Sequence, residues 1–343
     1  MRTTIKDIAK KTGLSVSTVS LALNGKSSRL AEKTVQAVLD AAQELHYRPN
    51  QMAVGLITQK TKTIGLIVPD ICNPIFSRIA KGAESQCQES GYNLILCNTN
   101  DNPNKDIDYM NILLDRGVDG IIFVMSATPT GTKAEECIHL VEQAQTPVVL
   151  VDRAVNEFPA PSVLVDHEMG AFLATKHLLE LGHRRIGCIS GPMSLQTSKQ
   201  RFFGYIRALQ EYQVNFDPEL VAEGDYHIQG GYQLSGELLD KGVTAIFASN
   251  DLMACGVFKQ ATERSLKVPR DLSIVGFDDT DFSEIMVVPL TTVNQPVFEM
   301  GKTSVAKLIE MIDSGGMTQE NVIFKPSLIV RESTRALSGG GGL

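Results

Sequence analysis

Apolar side chains recur at helical spacing along the first 46 residues and predict three short helices. The first covers 5–12 and ends at Gly13, the second covers 16–23 behind the N-cap candidate Ser15, and the third covers 32–46. Two short helices joined by a glycine-containing turn match the helix-turn-helix pattern, whose second helix enters the major groove of DNA. Any helical hairpin shows two such helices; a third helix able to close a core favours the DNA-binding interpretation.

The faces of these helices divide into a predicted core and a predicted outer surface. The inward positions are Ile5, Ile8, Ala9, Val19 and Leu23 on the first two helices and Val35, Val38, Leu39, Ala42 and Leu45 on the third. The outward face of the second helix carries Val16, Ser17, Ser20 and Leu21. Beyond Pro49, the segment 50–57 is expected to form a helix only when supported, because isolated helices below about 12 residues are marginal in water.

From Thr63 onward, short continuous apolar runs alternate with helical stretches, as in buried parallel strands covered by helices. The first runs are TIGLIV, NLILCN, GIIFVM and VVLVD, and the pattern begins again after Asp166. Corresponding runs in the two halves are offset by 122, 125 and 126 residues. A nearly constant offset of this size indicates two copies of one α/β unit and not a solenoid, whose repeats span about 20 to 50 residues.

The predicted fold is an N-terminal all-α helix-turn-helix head plus an α/β body of two doubly wound parallel-sheet subdomains. Its expected domains are a head at 1–49, a hinge helix and linker at 50–62, a body at 63–335 and a disordered tail at 336–343. Two open sheets side by side place the carboxyl ends of their strands around a shared cleft, which is where ligands bind in such folds.

Planar hydrogen-bonding side chains and aromatic rings follow the predicted strands of both copies. This mixture suits a sugar, because hydroxyl groups bond to carboxylate, amide and guanidinium groups while the C–H face packs on rings. Any one of these residues is more simply a helix cap, a loop hydrogen bond or a surface ion pair; their convergence at equivalent strand ends favours a binding site. The candidates are Asn73, Phe76, Asp152, Arg153, Arg201, Asn250, Phe277, Asp278 and Gln295.

The 343-residue chain has a net charge of −7, but its charges are unevenly distributed. Residues 1–60 hold nine Lys or Arg against four Asp or Glu, a net charge of +5, whereas the rest of the chain carries −12. A basic head on an acidic body suggests a polyanion-binding module joined to a unit that does not bind polyanions.

Composition narrows the class of protein further. No apolar stretch reaches the roughly 18 residues of a membrane span and the start is charged, so we expect no signal peptide, no membrane association and a cytosolic location. The six scattered cysteines are expected to be buried reduced thiols, and the six histidines to be surface or capping residues. Neither GK motif has the spacing of a phosphate loop, and no GxGxxG follows the first strand. We therefore predict no cofactor, no metal site, no catalytic residues and no enzymatic activity.

The run TIKDIAKKTGLSVSTVSLALNG, followed by YRPN and a short AxxL segment, resembles the lactose-repressor family of bacterial transcription regulators. The resemblance implies operator binding by the second helix and by a hinge helix that wedges Leu56 into the minor groove. It assigns DNA contacts to Thr4, Ser15, Val16, Ser17, Thr18, Ser20, Leu21, Asn24, Arg48, Ala53 and Leu56. Two positions depart from the family pattern: Val54 stands where an arginine is usual, and Leu21 where a polar or basic residue is common.

The body, to about Arg335, is similar to the periplasmic sugar-binding fold that this family uses as a sensor. The resemblance places the effector grip at Arg201, Asn250 and Asp278. A narrower similarity to ribose-binding proteins and ribose operon repressors rests on NPIF at 73–76, Asp152-Arg153, Tyr226 and Gln295, although Ile75 stands where a second phenylalanine is frequent. It implies a homodimeric repressor that binds operator DNA and has a pentose, ribose, as its inducer.

Other interpretations stay open at this point. EGDY at 223–226 and GPM at 191–193 resemble a catabolite-control branch that answers to a phosphoprotein partner, while Asp152-Arg153 argues for a retained sugar grip. A purine-responsive repressor is a further alternative. A plain sugar-binding or transport protein should lack the basic head, and a sugar-modifying enzyme should show a phosphate loop or a metal cluster.

Overall fold

The computed structural model describes residues 3–23, 30–47, 60–127, 132–153, 158, 160–316 and 320–337. The chain divides into two units, Met1–Thr61 and Lys62–Leu343, which we call the head and the body. No helix in these ranges is long and apolar enough to cross a membrane.

Three helices form the head: α1 (Ile5–Thr12), α2 (Val16–Leu23) and α3 (Glu32–Glu44). Gly13 ends α1 in the left-handed conformation, with a φ of 68°, which a glycine adopts without strain. Ile8, Val19 and Val38 meet in the core of the head and are fully buried, as the sequence predicts.

Helix α3 differs from its predicted end and its predicted face. It ends at Glu44 instead of His46, and its buried positions are Val38 and Ala41. Leu39, predicted to be a core residue, is 44% exposed. The other two helices cover one narrow stripe of α3, and with 3.6 residues per turn Leu39 points about 100° away from Val38.

Strands and helices alternate through the body. The strands are β1 (Thr63–Val68), β2 (Asn93–Asn98), β3 (Gly120–Phe123), β4 (Val148–Val151), β5 (Ser162–Val165), β6 (Ile186–Ser190), β7 (Val221–Glu223), β8 (Ala245–Ala248), β9 (Ser273–Asp278), β10 (Thr291–Asn294), β11 (Val322–Phe324) and β12 (Ser327–Ile329). The helices are α4 (Pro74–Glu89), α5 (Pro103–Asp115), α6 (Thr132–Ala144), α7 (His167–Glu180), α8 (Gln196–Glu211), α9 (Ile228–Asp240), α10 (Asp251–Glu263), α11 (Asp281–Ile285) and α12 (Val297–Ser314).

These strands form two six-stranded sheets with equivalent strand orders, which confirms the predicted duplication. The first sheet has the order β11-β5-β4-β3-β1-β2 and the second β12-β10-β9-β8-β6-β7. The pairings are parallel, as predicted, except that the short edge strand β12 runs antiparallel to β10. The cause is the short connection from β11, because a chain that continues past the carboxyl edge of one sheet enters the facing sheet in the opposite direction.

The chain crosses between the two subdomains three times, after β5, after β10 and after β11. Helix α12 therefore returns to cover the first sheet, where it packs against α4. A Cβ added to Gly82 of α4 would stand 2.0 Å from the Phe298 carbonyl oxygen of α12. This close approach of two backbones requires glycine.

The end of the body and the cysteines differ in detail from expectation. The body extends to Leu337, whose N–H donates a 2.8 Å hydrogen bond to the Leu181 carbonyl, and residues 338–343 of the predicted tail lie outside the described ranges. The six cysteines, all in the described ranges, form no disulfide, but Cys72 is exposed and Cys255 is half-buried, so the expectation of six buried thiols is wrong for these two. Cys72 lies in the loop between β1 and α4.

Candidate DNA-contacting face and effector cleft

Helix α2 and its N-cap Ser15 carry six of the eleven side chains predicted to meet DNA. Ser15, Val16, Ser17 and Leu21 are exposed, and Thr18 and Ser20 are half-buried. The opposite side of the helix is held in the core by Val19 and Ala22. The predicted contacts Asn24, Arg48, Ala53 and Leu56 lie outside the described residues.

Two of the predicted DNA contacts also begin helices. Ser15 Oγ accepts a 3.1 Å hydrogen bond from the N–H of Thr18, as an N-cap of α2 does. The N–H and the hydroxyl of Thr4 donate to Asp7 Oδ2 at 2.8 and 2.7 Å. These hydrogen bonds lower the pKa of Asp7 and keep a negative charge in the first turn of α1, where the helix dipole favours it.

Strand ends of both subdomains converge on one open pocket. This is the edge where ligands bind in open α/β sheets. The predicted residues that the structure brings together in its lining are Asn73, Phe76, Asp152, Arg153, Arg201, Tyr226, Asn250 and Asp278.

Four buried ionisable side chains form a row that joins the two subdomains at this pocket: Asp152, His167, Arg201 and Asp278. His167 Nε2 lies 3.5 Å from Asp152 Oδ1, and Arg201 Nε donates to His167 Nδ1 at 3.3 Å. Arg201 Nη1 lies 3.8 Å from Asp278 Oδ1. Because arginine can only donate, we assign the imidazole proton of His167 to Nε2, facing Asp152.

Burial and neighbouring charge oppose one another along this row. Burial by itself would raise the pKa of Asp152, but the contact with His167 and the charge of Arg201 outweigh it and hold that pKa below its ordinary value. Burial, together with the charge of Arg201, lowers the pKa of His167. Burial prevails at Asp278, where it raises the pKa well above the ordinary value despite Arg201. Of the two carboxyl groups in the row, Asp152 and Asp278, it is thus Asp278 whose negative charge is less well compensated.

Unusual backbone conformations occur at three residues of the lining. The φ angles of Asp152, Tyr226 and Asp278 are 62°, 65° and 120°, a region that residues other than glycine seldom occupy. The Tyr226 ring packs against Gly191, where an added Cβ would stand 2.1 Å from it, and its hydroxyl lies 2.8 Å from Ser198 Oγ. Such strain is typical of functional sites, where the surrounding structure holds it in place.

Arg153 is fixed by contacts within the first subdomain. Its Nη1 donates to Asp101 Oδ1 at 2.8 Å and to the Met125 carbonyl at 3.1 Å. The guanidinium carbon lies 5.3 Å from the centroid of the Phe76 ring. Arg153 therefore reaches the pocket as a pre-oriented cation, which reduces the conformational entropy lost on binding a ligand.

Two predicted site residues lie behind the pocket and not in its lining. Phe277 is fully buried beneath Arg201, whose guanidinium carbon is 3.9 Å from the ring centroid. Gln295 Nε2 donates to Asp278 Oδ1 at 2.7 Å. Both residues position the charged groups of the lining.

The two asparagines of the lining also cap helices. Asn73 Oδ1 accepts a 3.2 Å hydrogen bond from the N–H of Ile75, and Asn250 Oδ1 accepts one of 2.8 Å from the N–H of Met253. Asn250 Nδ2 donates to the Tyr226 carbonyl at 3.0 Å. Their places in the lining are thus secured by the starts of α4 and α10.

Sequence reasoning missed several residues of the site. Ile75 and Thr197 line the pocket, and His167 joins the charged row. The expectation that all six histidines are surface or capping residues is wrong for His167 and His183, which are buried. The sequence signal for His167 was its position at the start of α7, two residues after β5, which marks it as a candidate but does not show its partners; Thr197, at the start of α8, had none.

A helix-turn-helix head joined to a two-subdomain body with a cleft lined by charged and polar side chains defines a DNA-binding regulator that carries its own sensor. Comparison with protein families agrees. The model of bacterial regulatory proteins, lacI family, matches residues 4–50, and that of the periplasmic binding protein-like domain matches residues 175–334. In the described part of the chain, no group of three or more His, Cys, Asp or Glu side chains is placed to hold a metal ion.

Two similar proteins, both transcription regulators, match this chain over nearly the whole length of both sequences. The HTH-type transcriptional regulator DegA of Bacillus subtilis (strain 168) is 36% identical over 98% of this chain and 100% of its own. The HTH-type transcriptional repressor PurR of Haemophilus influenzae (strain PittEE) is 36% identical over 97% of this chain and 99% of its own. The chain belongs to the lacI family of DNA-binding transcription regulators. That these relatives are regulators confirms the prediction that the protein is not an enzyme.

Solved structures show the same architecture. A lac repressor dimer bound to operator and the anti-inducer ONPF has a TM-score of 0.87 and 29% identity over 98% of this chain and 100% of its own. A LacI family regulator from Enterococcus faecium with bound ribose has a TM-score of 0.73 and 34% identity over 80% of this chain and 100% of its own. The first similarity spans head and body.

Proposed function

We propose that this protein is a transcriptional repressor whose affinity for operator DNA is controlled by a free pentose, ribose, acting as inducer. The observation that carries the proposal is the buried charged row of Asp152, His167, Arg201 and Asp278 in a cleft between two subdomains. Buried charges of this kind destabilise a protein unless a partner satisfies them, so they indicate a site built for a polar ligand.

The cleft offers hydrogen-bonding capacity that the protein itself leaves unused. In the lining, Asp152 Oδ1 is buried and makes no hydrogen bond within the described part of the protein; the His167 Nε2 atom that faces it stands 3.5 Å away. An unmade hydrogen bond on a buried polar atom costs about 1–3 kcal/mol, and sugar hydroxyls, which both donate and accept, can supply the missing partners. The rings of Phe76 and Tyr226 line the same pocket and suit the C–H face of a sugar. The ribose bound to the Enterococcus faecium regulator supports a pentose in particular.

A homodimer on a pseudo-palindromic operator is part of the proposal, because one recognition helix covers only a half-site and two-fold proteins match two-fold DNA. The dimeric lac repressor supports it. Ile285 and Val287 of the second subdomain are apolar side chains, 82% and 103% exposed, that a partner subunit could bury. Gel-shift titration on a palindrome should give much tighter binding than on an isolated half-site; equal affinity would contradict the dimer.

Induction requires that ribose favour one arrangement of the body while operator favours another, since an effector shifts an equilibrium only by its differential affinity. By linkage, operator must then weaken ribose binding by the same factor by which ribose weakens operator binding. Ribose binding that tightened on operator would make the sugar a corepressor.

A purine effector is the second candidate, favoured by the identity to PurR along the whole chain. Calorimetric titration of the full-length protein with ribose, other sugars and purines distinguishes the two. Heat with ribose, together with weaker operator binding in its presence, supports the proposal. Heat with a purine alone assigns the alternative, and heat with neither favours the phosphoprotein partner.

A further inference from the structure

The recognition helix α2 has a composition that restricts how it can read DNA. Its eight residues, VSTVSLAL, include no Arg, Lys, Asn, Gln, Asp or Glu. Bidentate recognition of guanine uses Arg or Lys, and that of adenine uses Asn or Gln. The described residues of α2 therefore lack the side chains that make the strongest direct hydrogen-bonded contacts to bases.

Two aliphatic side chains stand on the outward face of α2 instead. Val16 is 42% exposed and Leu21 is 41% exposed, while Val19 and Ala22 are buried on the opposite side. Positions 16, 17, 20 and 21 share one face, since residues four apart on a helix are neighbours. The core of the head does not account for Val16 and Leu21.

The hydroxyl groups around Val16 are engaged with one another. Ser15 Oγ lies 2.8 Å from both Ser17 Oγ and Thr18 Oγ1, and it also accepts the N–H of Thr18. The aliphatic side chains are thus the part of this face that a partner can bury without breaking hydrogen bonds.

We infer that Val16 and Leu21 read thymine methyl groups in the major groove, so that the operator half-site is specified by apolar contacts from α2. The 5-methyl group of thymine is the apolar feature that base edges present in that groove. The inference rests on the proposed repressor function and names the bases to which this helix responds. Burial of one methyl group corresponds to about fourfold in affinity.

The test begins with selection of bound sequences from random duplexes by the full-length protein. In the selected operator, each thymine is then replaced singly by deoxyuridine, which removes the methyl group and leaves base pairing intact. The wild-type protein is expected to bind about fourfold more weakly at one or more half-site positions. The variants Val16→Ala and Leu21→Ala are expected to lose this sensitivity, each at its own position.

Leu39→Ala is the matched control, because Leu39 is an equally exposed leucine of the same head but lies on α3. It should retain the full sensitivity to deoxyuridine. Helical circular dichroism checks that the variants fold, which alanine favours at exposed helix positions, and lower salt keeps weakened complexes measurable.

Two results would overturn the inference: wild-type affinity unchanged by deoxyuridine at every position, or sensitivity that persists unaltered in both Val16→Ala and Leu21→Ala. If the protein selected no sequence at all, sequence-specific DNA recognition itself would fail, which is a separate outcome from a selected operator that shows no methyl effect.

Discussion

Replacing Asp278 by Asn removes a charge from the effector cleft with little change of shape. The carboxylate is buried, lies 3.8 Å from Arg201 Nη1 and accepts a 2.7 Å hydrogen bond from Gln295. Asn is a better replacement than Ala because the φ of this residue is 120°, and Asn occupies positive φ more readily than other residues with a side chain.

The affinity for ribose is expected to fall by roughly one to two decades in Asp278→Asn. A hydrogen bond to a charged group contributes about 1.5–3 kcal/mol, and about 1.4 kcal/mol corresponds to one decade. Operator binding without sugar should be unchanged, because the head contains none of these residues.

In the absence of ligand, the free energy of unfolding of Asp278→Asn should not fall as its ribose affinity does. Burial raises the pKa of Asp278 well above its ordinary value, so the folded protein binds a proton that the unfolded chain has released, and the free energy of unfolding falls as pH rises from the ordinary Asp value toward the raised one. Asp278→Asn lacks this loss and should be at least as stable as the parent at neutral pH.

The assay pairs calorimetric titration with ribose and thermal unfolding without it. Asp240→Asn is the control, since Asp240 is a surface carboxylate paired with Arg264 and its loss should leave ribose affinity unchanged. An unchanged ribose affinity in Asp278→Asn would refute the reasoning. A large loss of ligand-free stability would also refute it, because Asp278 would then be a structural group.

Three further substitutions test the coupling between ribose and operator binding, the packing of α4 against α12, and the predicted hinge helix. Arg78 Nη1 donates a 2.9 Å hydrogen bond across the subdomains to the Asp279 carbonyl, worth about 0.5–1.5 kcal/mol, so Arg78→Ala should change the ratio of operator affinities without and with ribose by about two- to tenfold in gel shifts; an unaltered ratio would show that the bond is neutral to induction. Gly82→Ala places a Cβ 2.0 Å from the Phe298 carbonyl and should lower the urea-measured free energy of unfolding by about 1–3 kcal/mol, and no measurable change would contradict the close packing. Leu56→Ala should weaken operator binding far more than binding to random DNA, and equal losses would remove the predicted minor-groove wedge.

The sequence predicts the two sheets because buried parallel strands leave continuous apolar runs, and the runs at Ile64 and Ile186 repeat at a nearly constant offset. It does not predict the last crossing. The strands Val322–Phe324 and Ser327–Ile329 have three residues each, too few to show a period. The apolar stripe of α12 does not indicate which of the two similar sheets it covers, so its return to the first sheet is a tertiary effect.

The residues of the candidate site likewise divide into those that the sequence predicts and those that it does not. Asp152 and Asp278 stand at strand ends and Arg201 in the second turn of α8, all within a recognisable pattern, and chain position alone brings them near the cleft. His167 becomes interpretable only in three dimensions, because the crossing after β5 sets it between an aspartate of one subdomain and an arginine of the other. The prediction that Leu39 is a core residue is wrong for a related reason. Periodicity indicates an apolar stripe on α3 that is wider than the surface covered by its two partner helices.

The three crossings affect the order in which the parts of the protein can fold while the chain is being synthesised. The head closes its core with Tyr47, whereas the first sheet waits for β11 at 322–324. At about 5–20 residues per second, the roughly 280 intervening residues take about 14 to 55 s. During that interval a nascent chain presents a folded DNA-binding head without a finished sensor. If operator binding depends on paired bodies, as proposed above, then occupancy of the operator is deferred until the chain that occupies it can also respond to its effector.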